Sequence, residues 1–581
     1  MDPSTTTTIS QTPVPVQFFS LQTIVVRLLG LIAIICLVKF YLLIRQRRNA
    51  IEQFKRKCTI PLVGEPGLFG GNFLEMIAKP NNCQLIHDYH LKLGDTYGLF
   101  YGPDPWVMTV DLELIQRVFI TEGSTHINVT QFRLPFVREI NESLAQVSGD
   151  KWRTIRRIMG PSFAPKSMKS DNVYRDIDSV CDMFINMLET QQAIEDLMLL
   201  TQQRQEQQKP LDTSSHSMTM MKEDPVPVSN QQGVELDVCH EFKRYSLEVI
   251  FRVAFGLERS KELEPQARDE IIDWLDEAAR MVNGPLVHIG VMLGIGARLL
   301  GFFSQFTPLG ACISHIHSII ETNLQRRRRR LMKQQADDCI KGNKDSNSSR
   351  KLIDSLIERF DLGEMDDETF KANLFFILLA GHETSANTLA MMFWLLANHP
   401  GIQDKLRHLI ASEGDQAEYL NWVIWETLRL YPAVPAAIGR VLEHDIEHHH
   451  GGVVFPKGST IIASIWSLHR WQKYWGADVS SFRPERFGEP NSGGGQWSSL
   501  RFFAFGDGPR YCIGKHLAMA EIKAIASRLL VKYRVSLCAN SPPPTPTHEG
   551  GGEGIKTISP NLIHFIIEHP IKLAFTKITN L

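Results

Sequence analysis

The sequence has no closely spaced pair of cysteines and no large excess of either charge. Its nine cysteines are scattered over 581 residues, an odd number without the spacing of a zinc site or a disulfide framework. A reducing compartment is therefore expected. Lysine and arginine total 62 against 64 aspartate and glutamate, which gives a formal net charge of -2. This balance offers no electrostatic basis for binding nucleic acid.

The sequence also lacks internal repeats, whereas apolar residues are plentiful. It is 43% hydrophobic, with 31 Phe and 10 Trp, so the chain can bury a large core. Periodicity predicts long helices over about residues 366–398 and 418–430, and β-structure over residues 453–467. The expected fold is mainly α with a minor β part.

An apolar run occupies residues 25–44 and is interrupted only by Arg27 and Lys39, near its ends. About twenty apolar residues span a bilayer, and long basic side chains can reach its interface. No Lys or Arg precedes the run, and several follow it. The positive-inside rule then predicts a lumenal segment 1–24, a transmembrane anchor 25–44 and a cytosolic remainder. A cleaved signal peptide and a buried soluble helix are the alternatives.

Composition divides the remaining chain. Residues 45–70 are basic and then rich in Pro and Gly, which predicts a linker. Residues 71–581 are expected to form one catalytic domain. Within it, the Gln-, Ser- and Met-rich segment 191–233 is predicted to be a mostly disordered insertion, and segment 541–554 a loop insertion. The glycosylation sequons at Asn128, Asn141 and Asn347 are interpreted as accidental, because a cytosolic region does not meet the glycosylation machinery.

One cysteine stands in an unusual context. Cys512 lies in the stretch Phe-Gly-Asp-Gly-Pro-Arg-Tyr-Cys-Ile-Gly, which starts at Phe505, and a helical pattern follows it. A thiolate there would lie near a helix N-terminus, where backbone N–H groups favour negative charge. The residue is therefore a candidate metal ligand.

A polar turn interrupts the long apolar helix at Ala-Gly-His-Glu-Thr-Ser, residues 380–385. A mid-helix glycine costs about 1 kcal/mol relative to alanine. Thr384 is predicted to bond back to the carbonyl of Ala380 and open the helix. With Glu383 beside it, the turn can form a groove with a proton source, although a tolerated polar turn explains the pattern equally well.

Two further pairs place charged residues on one helix face. Glu426 and Arg429 are three residues apart on an otherwise apolar helix, which favours a buried ion pair over a surface pair. Trp152 and Arg156 are four apart and could hold a carboxylate, although a stacked surface pair is the more common outcome.

Together these segments resemble the cytochrome P450 family. Phe505-x-x-Gly508-x-x-x-Cys512-x-Gly514 is similar to the haem-binding loop, and residues 380–385 to the oxygen-activation motif. Glu426-x-x-Arg429, the segment around Arg486 and Trp152-x-x-x-Arg156 resemble three further motifs in the family's order. The resemblance implies a cytochrome P450 fold with a single haem domain and covers roughly residues 60–575.

The resemblance also implies roles for individual residues. Cys512 would be the axial thiolate ligand of the iron of haem b, with Phe505 near the sulfur and Gly508 permitting a tight loop. Glu383 and Thr384 would supply protons during oxygen activation. Binding of the haem propionates is implied for Trp152, Arg156, Arg440 and Arg510. A structural triad is implied for Glu426, Arg429 and Arg486.

The expected activity is a monooxygenase that acts on a lipophilic sterol, fatty acid or xenobiotic with O₂. The sequence contains no flavin or iron–sulfur motif, so NADPH is expected to act only through a separate NADPH–cytochrome P450 reductase, with cytochrome b5 as a further electron donor. The anchor would place the enzyme on the endoplasmic reticulum membrane. A haem-thiolate isomerase or lyase acting on peroxides and a non-catalytic haem sensor are the alternatives.

Overall fold

The computed structural model describes most of the chain. The described residues are 21–64, 72, 82–101, 104–129, 138–207, 233–256, 265–282, 308–341, 351–436, 439–448, 452–489, 500–538, 541, 557–558, 566–567 and 570–578. Helices dominate them and strands form small sheets, which confirms the predicted mainly α fold with a minor β part.

The longer helices account for most of the described residues. They are α1 (Leu21–Lys57), α2 (Asn82–Leu93), α5 (Gly149–Met159), α7 (Asp171–Gln207), α8 (Val238–Val253), α9 (Pro265–Val282), α10 (Pro308–Lys341), α11 (Leu352–Asp361), α12 (Asp367–Asn398), α13 (Pro400–Glu413), α14 (Glu418–Leu430) and α17 (Lys515–Lys532). Single turns of helix connect them: α3 (Leu112–Ile115), α4 (Arg138–Asn141), α6 (Pro165–Met168), α15 (Ile465–Leu468) and α16 (Gln472–Trp475). A π-helical turn, Gln116–Thr121, continues α3.

The strands are short and lie in separate sheets. They are β1 (Thr96–Tyr101), β2 (Asp104–Thr109), β3 (Val234–Asp237), β4 (Arg440–Val441), β5 (Ile446–His448), β6 (Val453–Phe455), β7 (Thr460–Ala463), β8 (Tyr533–Leu537), β9 (Thr557–Ile558), β10 (Ile566–Ile567) and β11 (Lys572–Lys577). The sheet that bears on the site has the order β1-β2-β7-β4 and mixes antiparallel with parallel pairs.

Helix α12 lies at the centre of the core. The carboxylate of Asp366 caps it by accepting the N–H of Thr369 at 2.7 Å, and the helix ends before Pro400. Most of its residues are buried, which agrees with an apolar sequence on every side of the helix. Its main packing partner is α8, and Gly381 permits that approach because a Cβ there would lie 2.6 Å from Ile250. The predicted spans of α12 and α14 agree with the structure.

The predicted anchor at residues 25–44 falls within α1. Among the residues that the structure describes, none of the helices has the length and apolarity that crossing a membrane requires. The boundary between anchor and linker also differs from the prediction, because residues 45–57 continue α1 instead of forming a linker. Charged residues with long side chains are good helix formers, and Arg56 pairs with Glu52 one turn away at 3.5 Å.

The predicted disordered insertion at 191–233 requires a correction as well. Residues 191–207 are helical and complete α7, while residues 208–232 lie outside the described residues. The Gln-rich composition is compatible with a helix because Gln191 and Gln192 bond to Glu195 and Asp196, four residues on. Apart from Ser541, the loop insertion predicted at 541–554 also lies outside the described residues.

Candidate functional site

The loop before α17 holds Cys512 by its backbone. The N–H of Cys512 donates to the carbonyl oxygen of Phe505 at 2.8 Å, which closes the loop on itself. Gly506 and Gly508 have φ angles of +66° and +70°, a region that side chains disfavour. Helix α17 begins at Lys515, so Cys512 lies just before a helix N-terminus, as the sequence predicts.

Gly508 is needed for packing as well as for its φ angle. A Cβ at this position would lie 1.9 Å from the carbonyl oxygen of Phe119, on the π-helical turn after α3. Gly123 makes a similar approach, since its Cβ would lie 2.9 Å from Pro509. The cysteine loop and the segment 119–123 therefore fit together only because both carry glycine.

Protein atoms surround the thiol of Cys512, yet the residue remains accessible to solvent. Burial raises the pKa of the Cys512 thiol, while the N–H of Gly514, the charge of Arg156 and the N–H and charge of Lys515 oppose that rise. Bound metal would outweigh the burial cost, because a coordinated thiol loses its proton.

Three arginines from distant segments gather near this loop. Arg156 belongs to α5, Arg440 to β4, and Arg510 to the loop itself. Burial, followed by the charges of Arg440 and Arg156, lowers the pKa of Arg510 to about 9. Burial also lowers the pKa of Arg440 to about 10. Arg440 is buried and the other two arginines are half-buried, and such a set of cations suits an anionic ligand, because each added cation raises the cost of the others.

Neutral groups hold two of these guanidiniums in place. Arg510 lies 4.6 Å from the ring centroid of Trp152 and donates to the carbonyl oxygens of Ala145 at 3.4 Å and Val147 at 2.5 Å. Arg156 lies 4.5 Å from the ring centroid of Tyr511. The aromatic partner of Arg156 is thus Tyr511, whereas Trp152, on the same helix face, contacts Arg510. The role of Tyr511 was not predicted, and no pattern in the sequence points to it.

Helix α12 carries the second part of the site. The hydroxyl of Thr384 donates to the carbonyl oxygen of Ala380 at 2.9 Å, which is the bond that the sequence predicts. Glu383 is buried at 4% exposure, and its Oε2 atom has no hydrogen-bond partner in the described structure. A buried carboxyl oxygen of this kind is available to a water molecule or a ligand.

A buried acid links α12 to the helix that follows the cysteine loop. Glu521 of α17 hydrogen-bonds with Ser385, next to Thr384, and burial raises its pKa to about 8. It is therefore mostly protonated at neutral pH. Sequence reasoning missed this residue, although an acid inside the apolar pattern of α17 was a usable signal.

Glu426, Arg429 and Arg486 form a separate buried cluster. Glu426 accepts two bonds from Arg429, at 2.7 and 2.8 Å, and one from Arg486 at 2.9 Å. Backbone carbonyl oxygens of His469 and Val479 accept from Arg429 at 2.9 and 2.7 Å. The charges are fully satisfied and almost inaccessible, so this cluster can stabilise the fold but cannot contact a substrate.

The residues present fit a haem group. The thiolate of Cys512 can bind the iron, and the three arginines, one buried and two partly buried, can bind two carboxylates of an otherwise apolar cofactor. The unpartnered oxygen of Glu383 and the hydroxyl of Thr384 offer polar groups for a reacting species. This donor set does not resemble a zinc or calcium site, which requires several protein ligands.

Comparison with known proteins leads to the same family. The family model described as "Cytochrome P450" matches residues 61–205 and 197–565. The chain is 26% identical over 470 residues to cytochrome P450 3A9 of Rattus norvegicus, covering 77% of this chain and 80% of that protein. It is 25% identical over 535 residues to cytochrome P450 6a8 of Drosophila melanogaster, with coverage of 88% and 93%. A putative cytochrome P450, CYP13A7 of Caenorhabditis elegans, is 25% identical over 523 residues, with coverage of 81% and 88%.

Proposed function

This chain belongs to the cytochrome P450 family, and on that premise we propose that it inserts one oxygen atom of O₂ into a lipophilic organic substrate. Members of the family are in general haem-thiolate monooxygenases. The observation that carries the proposal for this chain is the hydroxyl of Thr384, bonded to Ala380 beside the buried carboxyl of Glu383.

Haem b, when bound, supplies the redox-active iron at which dioxygen is reduced and cleaved. Cys512 would bind the iron through its sulfur, and Arg156, Arg440 and Arg510 would bind the propionates, with Trp152 and Tyr511 holding two of these guanidiniums in position. The N–H groups of Gly514 and Lys515 favour the thiolate form of Cys512. Phe505 and Gly508 would preserve the shape of the loop around the sulfur.

Protons would reach the reaction through Thr384 and Glu383. The hydroxyl of Thr384 can exchange its bond to Ala380 for a bond to a reacting group, because the helix carbonyl is a neutral acceptor. Glu383 can hold a proton at its unpartnered Oε2 atom and return it.

The axial ligand can be tested by spectroscopy. We expect the reduced, carbon monoxide-bound protein to show the Soret band of thiolate-ligated haem, and Cys512→Ser to lose it. Cys181→Ser is a matched control, because Cys181 is a buried cysteine hydrogen-bonded to Tyr245. A Soret band that survives in Cys512→Ser, or is absent from the wild type, contradicts the proposed ligand.

A second experiment separates the monooxygenase from a peroxide isomerase or a haem sensor. With reductase and a substrate, we expect NADPH consumption coupled to product, and uncoupling to peroxide in Thr384→Ala. Thr388→Ala is the control, because Thr388 makes the same type of bond, to the carbonyl oxygen of Thr384 at 2.8 Å. Turnover of a hydroperoxide without reductase supports an isomerase, and haem binding without any turnover supports a sensor.

The redox partner is part of the same proposal. We expect NADPH–cytochrome P450 reductase to supply the electrons and cytochrome b5 to increase the rate of the second electron transfer. The support is the absence of flavin and iron–sulfur motifs from the sequence. Reduction by an adrenodoxin-type iron–sulfur protein, without activity from the flavoprotein reductase, would replace this partner with another class.

The substrate is expected to be a sterol, a fatty acid or a xenobiotic. The support is the apolar sequence of residues 286–303, in a segment that the family uses for selectivity and that lies outside the described residues. Titration with a panel of these ligands, followed by the shift of the Soret band, identifies the class. If a polar ligand binds more tightly than every sterol, fatty acid and xenobiotic in the panel, the proposed lipophilic substrate is contradicted.

We also propose that α1 attaches the enzyme to the endoplasmic reticulum membrane. The support is a set of exposed, large apolar side chains on this helix: Leu31, Ile34, Ile35, Leu37, Val38, Tyr41 and Leu42. Replacement of four of them by serine should release the full-length protein from microsomes in alkaline carbonate. Equal release of wild type and variant would contradict this attachment.

A further inference from the structure

A short segment joins two of the elements that carry the arginine cluster. Residues 122–129 contact both the start of helix α5, which carries Trp152 and Arg156, and strand β4, which begins at Arg440. Val129 forms an isolated β-bridge with Arg440, and the N–H of Val441 donates to the carbonyl oxygen of Asn128 at 2.9 Å. The backbone of this segment therefore fixes the position of the strand.

The side chain of Asn128 extends the connection to α5. Its Oδ1 atom accepts the N–H of Gly149, the first residue of the helix, at 3.0 Å. Its Nδ2 atom donates to the carboxylate Oε1 atom of Glu443, three residues after Arg440. The N–H of Val129 also donates to the hydroxyl of Ser148, at 3.2 Å. The amide supplies both roles, because its oxygen accepts from the helix N–H while its NH₂ group donates to the carboxylate.

The partner of Asn128 is itself held in place. The N–H of Glu443 donates to Nδ1 of the buried His126 at 3.2 Å. This nitrogen must therefore be unprotonated, so the other ring nitrogen carries the proton and donates to Oε2 of Glu122 at 3.2 Å. Burial lowers the pKa of His126, which keeps the ring neutral.

The same cluster excludes a simpler interpretation. Glu122, His126 and His444 lie close enough to surround a metal ion, with their ligand atoms within 4.8 Å of one another. The nitrogen of His126 that would have to bind the metal carries a proton, because its other nitrogen accepts from Glu443. Glu122 is also paired with Arg117 at 2.7 Å. The hydrogen bonds of His126 to Glu122 and to the N–H of Glu443 therefore serve to hold Glu443 in position.

We propose that Asn128 is a positioning residue for the haem site, because its amide holds α5 and β4 in the relative placement that Arg156 and Arg440 need. The inference rests on the proposed function, since it assumes that these arginines bind haem propionates. It also gives a use to a residue that begins a glycosylation sequon: the amide nitrogen that a glycan would take already donates to Glu443.

Three variants test the proposal. Asn128→Asp has the same shape and still accepts from Gly149, but it places a second carboxylate against Glu443. Glu443→Gln should behave like the wild type, because an amide oxygen still accepts from Asn128. In the double variant the donor and acceptor are exchanged, since the amide introduced at position 443 can donate to the carboxylate introduced at position 128. The contact should then be restored.

The measurement is the rate at which haem leaves each holoprotein for an excess of an apo-globin acceptor. We expect about 10-fold faster loss from Asn128→Asp, on the scale of one hydrogen bond to a charged group, and a rate within about 2-fold of wild type for the other two. The rescue shows that the effect of Asn128→Asp comes from its contact with the residue at position 443. The urea midpoint of each apoprotein reports that destabilisation separately.

Two outcomes overturn the proposal. If Asn128→Asp loses haem at the wild-type rate, or if the double variant is no better than Asn128→Asp, Asn128 does not position the site. If Asn128→Asp does not fold, the comparison of Glu443→Gln with Glu443→Ala gives the same test, because only the alanine variant removes the acceptor. A wild-type protein that binds no haem overturns the proposed function itself, whereas the first two results leave it intact.

Discussion

Replacement of Glu426 by glutamine tests the buried triad most directly. Glu426 and Arg429 are inaccessible to solvent, and Arg486 is almost so. The carboxylate accepts bonds from both guanidiniums and also from the N–H of Arg483 at 2.9 Å. In Glu426→Gln the buried Arg429 loses its carboxylate, Arg486 keeps only the half-exposed Asp478 at 3.3 Å, and an amide N–H group faces a guanidinium N–H.

The expected cost follows from the charges that remain. Loss of one partner of a buried ion pair typically costs about 3–5 kcal/mol, because it leaves an uncompensated charge in the interior. Glu426→Gln should reach the upper part of this range. Arg486→Met should cost less, because Glu426 and Arg429 remain as a neutral, doubly bonded pair. The order of the two variants is thus predicted, as well as their size.

Urea unfolding of the haem-bound proteins, followed by far-UV circular dichroism, measures these costs. Arg359→Met is the matched control, because Arg359 pairs with Glu364 at 2.7 Å on the surface, where the side chains are 48% and 36% exposed. Such exposed pairs contribute about 1 kcal/mol or less. If Glu426→Gln is no more destabilising than Arg359→Met, or if Arg486→Met is the worse of the two triad variants, the reasoning from buried charge is wrong.

Three further predictions concern the site itself. Gly508→Ala should destabilise the protein by about 2–4 kcal/mol and impair haem uptake, because the new Cβ contacts Phe119 and the φ angle is disfavoured. Gly506→Ala is the control and should cost only about 1–2 kcal/mol, because its φ is +66° but its Cβ would meet no atom closer than 3.9 Å. Equal urea midpoints for the two variants would refute the contact with Phe119. Glu521 has a pKa of about 8 when folded and about 4.5 when unfolded, so the stability that it contributes is present below pH 4.5 and is lost as pH rises towards 8, by up to about 5 kcal/mol. The wild type should therefore lose stability over this range relative to Glu521→Gln. Urea midpoints of the two proteins that run parallel from pH 5 to 8.5 would contradict the assigned pKa. Removal of haem should lower the thermal midpoint and make it more sensitive to added salt, because the arginine cluster then lacks the anionic propionates. An apoprotein as stable as the holoprotein, at low and high salt alike, would refute this role of the cluster.

The sequence predicts the long buried helices well because their signals are local. Helix α12 has an acidic cap at Asp366, an apolar interior and a proline at its end, and each of these acts within a few residues. The bond from Thr384 to Ala380 is also local, four residues back along the helix. These features need no knowledge of what packs against the helix.

Contacts between distant segments give no such signal. The sequence marks Gly508 as part of a tight loop but not as the position that Phe119 approaches, nearly four hundred residues earlier. It contains Trp152 and Arg156 on one helix face, yet each contacts a residue of the cysteine loop instead of its neighbour. The bond between Asn128 and Glu443 crosses 315 residues and leaves no pattern in either segment.

The error at residues 191–207 has a different cause. A composition rich in Gln and poor in aromatic residues predicts disorder, but Gln, Glu, Leu and Met are also good helix formers. Helix α7 already has a packed N-terminal half, with Ile177, Val180 and Leu188 buried. Extending an existing helix avoids the cost of nucleation, so a segment that would not fold alone continues it.

The neutral contacts of the arginine cluster also explain why it needs support from a second layer. Three backbone carbonyl oxygens and the ring of Trp152 hold Arg510, and the ring of Tyr511 holds Arg156, so the positive potential at these positions is left for a ligand. Carboxylate partners would fix the same side chains more firmly, but they would cancel the charge that attracts an anion. Mutual repulsion then tends to separate the elements that carry the cations. The bonds from Asn128 to Gly149 and Glu443 oppose that separation without adding negative charge beside the guanidiniums.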